Sequence, residues 1–234
     1  MSSTVMAMHQ ANYIPWLGYF SKMLHSDVFV LLDVVQYPRG QSFSPRNRIK
    51  TPNGSSFLTI PLSVPGGKDG KALYTEVAFA GDKWKKKHLK TLELGYKKAP
   101  FFEEVYALVE KEIQQQPSFI DLNIGLIQAV ASYLDIETKC VRLSEILTDF
   151  GQKTDLIIDI CREVDANTYL SGTGGGREYN NEQQLDDAGI KLLYSKFEHP
   201  EYSQLWGDFI SHLSIVDALF MCGKETRGLL VNDG

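Results

Sequence analysis

The chain has 234 residues, of which 43% are hydrophobic and 23% charged, with a formal net charge of −5. That length carries one large domain or two small ones, and the ordinary apolar content excludes a mainly disordered chain. The acidic balance speaks against nucleic acid as the main partner. Three widely spaced cysteines exclude a disulfide framework and a CxxC-type zinc site.

The stretch Met1 to Met8 lacks the basic start and apolar run of a signal peptide. No apolar run approaches the roughly 18 residues of a membrane span, so the expected location is the cytoplasm. Thr4 to Met8 reads as a strand. Trp16 to Leu24 has a helical period, and Asp27 to Leu32 reads as a second strand. Strand, helix, strand implies a parallel crossover. Asp33 to Ser55, rich in Pro, Gly, Ser and Asn, reads as a loop carrying Arg39, Arg46, Arg48 and Lys50. Phe57 to Leu62 is expected as a strand, with Thr75 to Phe79 as its hairpin partner.

Three helices follow. The first is capped by Asp82 and ends near Gly95, the second starts at Pro100, and the third is capped by Ser118 and reaches Tyr133. The basic run Lys83 to Lys90 reads as a solvated helix face. Thr138 to Leu143, Thr168 to Leu170 and Ile190 to Tyr194 read as strands. They alternate with helices over Thr154 to Val164 and Asn180 to Ala188, before a last helix over Ser211 to Cys222. The expected fold is a doubly wound, mostly parallel α/β sheet, Rossmann-like, in one domain over 1–228. Within it 82–134 is a helical insertion or lid, and 229–234 is a tail.

Four segments can carry chemistry. The first runs from His9 through Gln10, Tyr13 and Trp16 to Tyr19, where the first strand ends and a helix begins. Ligands of open α/β sheets bind at such strand ends, and His9 is able to move protons near neutral pH. The second includes Asp33, Gln36, Arg46, Asn47, Arg48 and Lys50; arginine forks suit phosphate or carboxylate. The third is the glycine-rich turn with Ser171, Gly172 and Gly174, where backbone N–H groups can cradle an anion. The fourth is Glu198-His199-Pro200-Glu201-Tyr202, placing His199 after the last strand with Glu198 or Glu201 to orient it. His9, His199 and Asp33 are the catalytic candidates, and the other residues are candidates for substrate binding. Cys222 reads as a structural thiol. No local metal-ligand spacing occurs.

Taken together, these segments resemble the WbqC-like family. The matching residues are His9-Gln10 with Tyr13 to Tyr19, Ser26 to Phe29 through Asp33 and Gln36, and Arg46 to Lys50. Farther on they are Tyr169 to Gly172, Phe197 with His199-Pro200, Tyr202 and Gln204, and Leu213 to Asp217 with Cys222-Gly223. Two positions depart from the family pattern: Ala11 stands where Pro is usual, and Val34 where a second Asp is usual. The resemblance implies a role in bacterial O-antigen or other surface-polysaccharide assembly. It points to transfer of an acyl or aminoacyl group, glycyl included, onto a sugar nucleotide. A weaker similarity joins the strand and Pro-x-x-Gly helix start to nucleotidyltransferases with a HIGH-type motif, with Tyr19 in place of their second His.

The leading expectation is therefore a transferase, with no cofactor predicted. His9 or His199 would deprotonate the acceptor amine, and Arg46, Arg48 and Lys50 would hold a diphosphate. A nucleotidyltransferase-like enzyme using a nucleoside triphosphate and Mg²⁺, with Asp33 on the metal, is one rival. A non-catalytic sugar-nucleotide binding module is the other.

Overall fold

The structure is a computed structural model and describes residues 3–38, 40, 42–67, 70–172 and 180–231. The opening strand–helix–strand is present as β1 (Val5–Gln10), α1 (Leu17–Leu24) and β2 (Val28–Leu32). Three later strands, β7 (Lys139–Arg142), β8 (Thr168–Ser171) and β9 (Lys191–Tyr194), join them. Among the described residues these five form one parallel sheet in the order β7-β2-β1-β8-β9. The chain builds outward from β1 through β2 to β7, then returns to the other side of β1. The order therefore reverses between β1 and β8. Pairing of those two strands is confined to Val5–Thr168 and Met6–Tyr169, although β1 runs on to Gln10 and β8 to Ser171. The sheet consequently splits at its carboxyl edge.

The period-2 pleat assigns the strand side chains to two cores. Ala7, Phe29, Leu31 and Leu170 face one core. Met6, Val28, Val30, Leu32 and Tyr169 face the other. On the second side the sheet is covered by α6 (Thr154–Glu163) and α7 (Glu182–Asp187). Their Leu156, Ile157, Ile160 and Leu185 are buried there, each worth about 1.5–3 kcal/mol of transfer free energy. The first side carries α1 and the helices α2 (Lys83–Tyr96), α3 (Phe102–Gln115), α4 (Phe119–Tyr133) and α8 (Ile215–Cys222). Leu92, Val109 and Leu126 of α2–α4 belong to the same core as Ala7 and Leu31. Ser118 caps α4 as its position predicts, accepting from the Asp121 amide at 3.2 Å. Lys83, Lys86, Lys87 and Lys90 are exposed. Short α5 (Leu143–Ile146) follows β7, α9 (Thr226–Leu229) follows α8, and Leu230 is fully buried.

Three local expectations are corrected. Arg46 to Thr51 lies inside the expected loop, yet it is strand β3, paired antiparallel with β4 (Gly54–Thr59). Asn47 and Ile49 are buried while Arg46 and Arg48 stay partly exposed, so basic residues hid an ordinary alternation. The second hairpin is shorter than expected: β5 (Leu62–Ser63) pairs only with β6 (Ala78–Phe79), and Tyr74–Glu76 forms a 3-10 turn. The last helix starts at Ile215 rather than Ser211. Ser214 instead bridges to Trp16 in the loop before α1, with the Ile215 amide donating to the Pro15 carbonyl at 2.8 Å, while the Ser214 amide donates to the Arg48 carbonyl of β3 at 2.8 Å. Among the described residues no helix is long and apolar enough to cross a membrane.

Candidate functional site

The loop between β1 and α1 is held from three directions. Asn123 Nδ2 donates to the Ala11 carbonyl at 2.7 Å. Asn47 Nδ2 donates to the carbonyls of Tyr13 (3.3 Å) and Ile14 (2.7 Å). Ser214 Oγ donates to the same Ile14 carbonyl at 2.7 Å. These bonds hold Ile14 at φ 39°, a left-handed conformation costly for a β-branched residue. The turn delivers the Trp16 indole onto Gly18, where an added Cβ would sit 2.3 Å from Cη2. Only glycine permits that approach.

Two cavities adjoin Trp16 and share it with His9. One, of about 280 Å³, is lined by Asn12, Phe43, Asn47, Arg48 and His212 as well. The other, of about 210 Å³, adds Tyr19, Lys22, Gly172, Ser195 and Phe197. The second lies where β1 and β8 part. Larger hollows elsewhere, such as that around Asp149 and Arg162, contain none of the residues singled out from the sequence.

His9 meets Tyr19 with ring centroids 4.6 Å apart, and its Nδ1 lies 3.0 Å from the Gln10 carbonyl. A carbonyl only accepts, so Nδ1 carries the hydrogen and Nε2 of the neutral ring is an acceptor. Burial and, second, the nearby Lys22 push the His9 pKa down to about 3. Burial alone pushes Lys22 down to about 7. His199 stacks on Trp16 at 6.4 Å and packs against His212 at 4.9 Å, while His212 stacks on Trp16 at 5.3 Å. His199 Nδ1 bonds the Pro200 carbonyl at 2.9 Å, and among the described residues its buried Nε2 has no hydrogen-bond partner. Burial, opposed by the Pro200 bond and reinforced by His212, lowers its pKa. The two ends of the chain thus meet at Trp16: His9 lines both cavities, and His199 supports the indole from outside them.

The sequence profile of the WbqC-like protein family matches residues 10–228, nearly the whole chain. The chain belongs to the WbqC-like family. It is 34% identical over 227 residues to the uncharacterized protein Rv1507c of Mycobacterium tuberculosis (strain ATCC 25618 / H37Rv), covering 96% of each chain. No solved structure matches it.

In this WbqC-like chain the other anticipated residues divide by place. Asn47, Arg48, Trp16, Tyr19 and Gly172 line the cavities with His9. Arg48 also donates from Nη2 to the His212 carbonyl at 3.3 Å. Gln10 contributes its carbonyl, which accepts from His9 and from the Tyr19 hydroxyl at 3.2 Å. Ser171 is buried beside Gly172 and accepts from Asn180 Nδ2 at 3.0 Å. Gly174 lies outside the described residues.

The rest are elsewhere. Asp33 caps α5, both oxygens accepting from Ser144, from its amide at 3.0 Å and its hydroxyl at 2.5 Å. Val34, where the family pattern has a second carboxylate, packs against the second core, on the face opposite His9. Tyr13 is buried and bonds His88 Nδ1 at 3.0 Å. Gln36 is exposed and bridges to Leu73. The Arg46 guanidinium lies 4.8 Å over the Phe57 ring. Lys50 is buried, with Nζ on Gln204 Oε1 at 3.0 Å and on the Asp208 carbonyl. Tyr202 donates to buried Asp217 at 2.8 Å, as Tyr96 does at 2.7 Å. Glu198 and Glu201 are exposed, and the Pro200 carbonyl orients His199 instead. Burial raises the Cys161 thiol to about 12 and also raises Cys222, as inert thiols require.

Sequence reasoning left Lys22 and His212 out of the site. Lys22 had a legible signal: it is the single charge in the apolar helix Leu17–Leu24. His212 had none, because its place beside Trp16 depends on the Ser214 pairing.

Proposed function

We propose that the protein transfers an acyl or aminoacyl group, glycyl among the candidates, onto the amine of an amino-sugar nucleotide in bacterial surface-polysaccharide assembly. The observation that carries this reading is that His9 and Arg48 line one cavity at the carboxyl edge of a parallel sheet. The strand order β7-β2-β1-β8-β9 supports it, since nucleotides favour the crevice of a parallel sheet where such an order reverses. The reading assigns the protein to the cytoplasm.

In this scheme the amine lone pair forms a C–N bond to the acyl carbon. The bond from that carbon to the donor's leaving group breaks, and its electron pair departs with that group. The amine proton passes to His9 Nε2, free because Nδ1–H is committed to Gln10. An uncomplexed His9 is a weak base. A diphosphate on Arg48 offsets the positive field of Lys22 and raises the basicity of His9 when substrate is present. Arg48 holds the diphosphate, and Trp16, backed by His199 and His212, offers an aromatic wall for the sugar.

The test offers purified protein activated glycyl and acetyl donors with a panel of nucleoside-diphosphate amino sugars, and reads acylated sugar by mass spectrometry. Wild type is expected to acylate at least one acceptor, and His9→Ala to lose about 10²–10⁴-fold in kcat. No product from wild type across the panel, or full turnover by His9→Ala, overturns the reading.

A further inference from the structure

Lys22 is 5% exposed and lines the 210 Å³ cavity at the split between β1 and β8. Its Nζ donates to the Met8 carbonyl at 2.9 Å and lies 5.8 Å over the Phe29 ring. Met8 is beyond the point where β1 and β8 stop pairing. Among the described residues no carboxylate forms an ion pair with Lys22, and no Asp or Glu lines its cavity. An ammonium has three donors and, once out of water, needs a counter-charge. Among the described residues, one carbonyl and one ring face are what meets it. Gly172 lines the same cavity, and a Cβ built on it meets nothing within 4 Å among the described residues.

We propose that the missing counter-charge is supplied by ligand: the cavity beneath Trp16 is an oxyanion subsite, taking a phosphate or carboxylate group, and Lys22 takes up a proton as that group enters. The inference deepens the transferase reading and rests on it for the identity of the natural ligand. A nucleotide phosphate or the carboxylate of an amino-acid donor each has this chemistry. Burial holds the empty-site lysine near a pKa of about 7, so above that pH the free protein carries a neutral amine there. An arriving anion favours the ammonium and couples binding to proton uptake.

The groups facing Lys22 agree with this. In its own cavity they are His9 on β1 and Tyr19 on α1; the adjoining cavity, which shares Ser195, adds His25 just after α1, Tyr194 at the end of β9, and Lys196. None is an acid that would act as an internal counter-ion. His9, pushed to about 3, and Tyr19, raised well above its ordinary value by burial, do not titrate between pH 6.5 and 8.5.

The experiment is calorimetric titration of the full chain with sulfate and with acetate, neither of which titrates in that range. It is run at pH 6.5 and 8.5 in two buffers of different ionisation enthalpy. Wild type is expected to bind at least one of them, with about one proton taken up at pH 8.5, little at 6.5, and about twentyfold weaker affinity at 8.5. Preference for sulfate identifies a phosphate subsite, and preference for acetate a carboxylate subsite. Lys22→Arg is expected to bind without proton uptake, and Lys22→Met to lose binding at least tenfold. If either variant fails to fold, the wild-type proton count decides alone.

Absence of binding by both ions, or binding at pH 8.5 with no proton uptake, overturns the proposal. So does borohydride trapping of an aldehyde on Lys22 in a protein that binds neither ion, which assigns the amine to carbonyl chemistry. The titration needs no donor or acceptor. Ion binding without transfer therefore counts against the transferase reading alone, and transfer without ion binding against the subsite alone.

Discussion

The Ser214 hydroxyl donates to the Ile14 carbonyl at 2.7 Å, across 200 residues of sequence. That carbonyl also accepts from Asn47 at 2.7 Å, so two buried donors from distant segments hold one strained residue. Ser214→Ala removes one donor and leaves the other. The expected loss is about 1–2 kcal/mol of unfolding free energy, measured by urea denaturation. Unchanged stability means that Asn47 alone holds the turn.

Gly18→Ala forces a methyl group into the Trp16 indole, whose nearest ring atoms stand 2.3–2.8 Å from the ideal Cβ. The ring must leave its stack with His199 and His212. The expected result is a red shift of tryptophan emission and a loss of about 1–3 kcal/mol. An unaltered spectrum and melting curve refute the packing described for Trp16.

Lys50 and Arg48 sit two residues apart on β3 but face different surroundings. Lys50→Met strands the Gln204 and Asp208 acceptors in the interior, at an expected cost of about 1–3 kcal/mol in stability. Arg48→Ala, at a partly exposed position, is expected to cost less than about 1 kcal/mol and to weaken sugar-nucleotide binding. Thermal melts and titrations on the pair check this, and equal effects in both assays contradict the division.

Lys22 makes stability depend on pH with a definite sign. Its folded pKa, about 7, lies below its unfolded value. Between these the unfolded chain binds more protons, so unfolding free energy rises with pH. From pH 7 to 8.5 the slope contributed by Lys22 climbs from about 0.7 to about 1.3 kcal/mol per unit, and Lys22→Met is expected to lack it. The window stops at 8.5 because burial raises Cys161 to about 12, which offsets the Lys22 slope above the ordinary thiol range. A wild-type slope no steeper than that of Lys22→Met counts against a neutral buried amine.

Regular elements were legible wherever one period ran unbroken. The buried run Val28–Leu32, the amphipathic Thr154–Glu163 and the Ser118 cap are all local signals. Strand β3 escaped because Arg46, Arg48 and Lys50 dominate its composition, although Asn47 and Ile49 are buried. Among site residues, His9, Trp16 and Arg48 were legible from their position after strand ends or in a basic loop. Asp33 satisfied the same rule and was drawn instead into capping α5, a contact made across 111 residues.

The sequence by itself determined the alternation of strands and helices, the family resemblance, and the set of polar residues concentrated near the two ends. These follow from periodicity, caps and spacing, which are properties of neighbouring residues. Tertiary structure alone decided which polar residues share a cavity. The split between β1 and β8 and the enclosure of Lys22 in a cavity shared with Gly172 and Phe197 come from contacts between distant segments. Desolvation gives that enclosure its chemical consequence: burial of the one charge in helix Leu17–Leu24 lowers the Lys22 pKa to about 7.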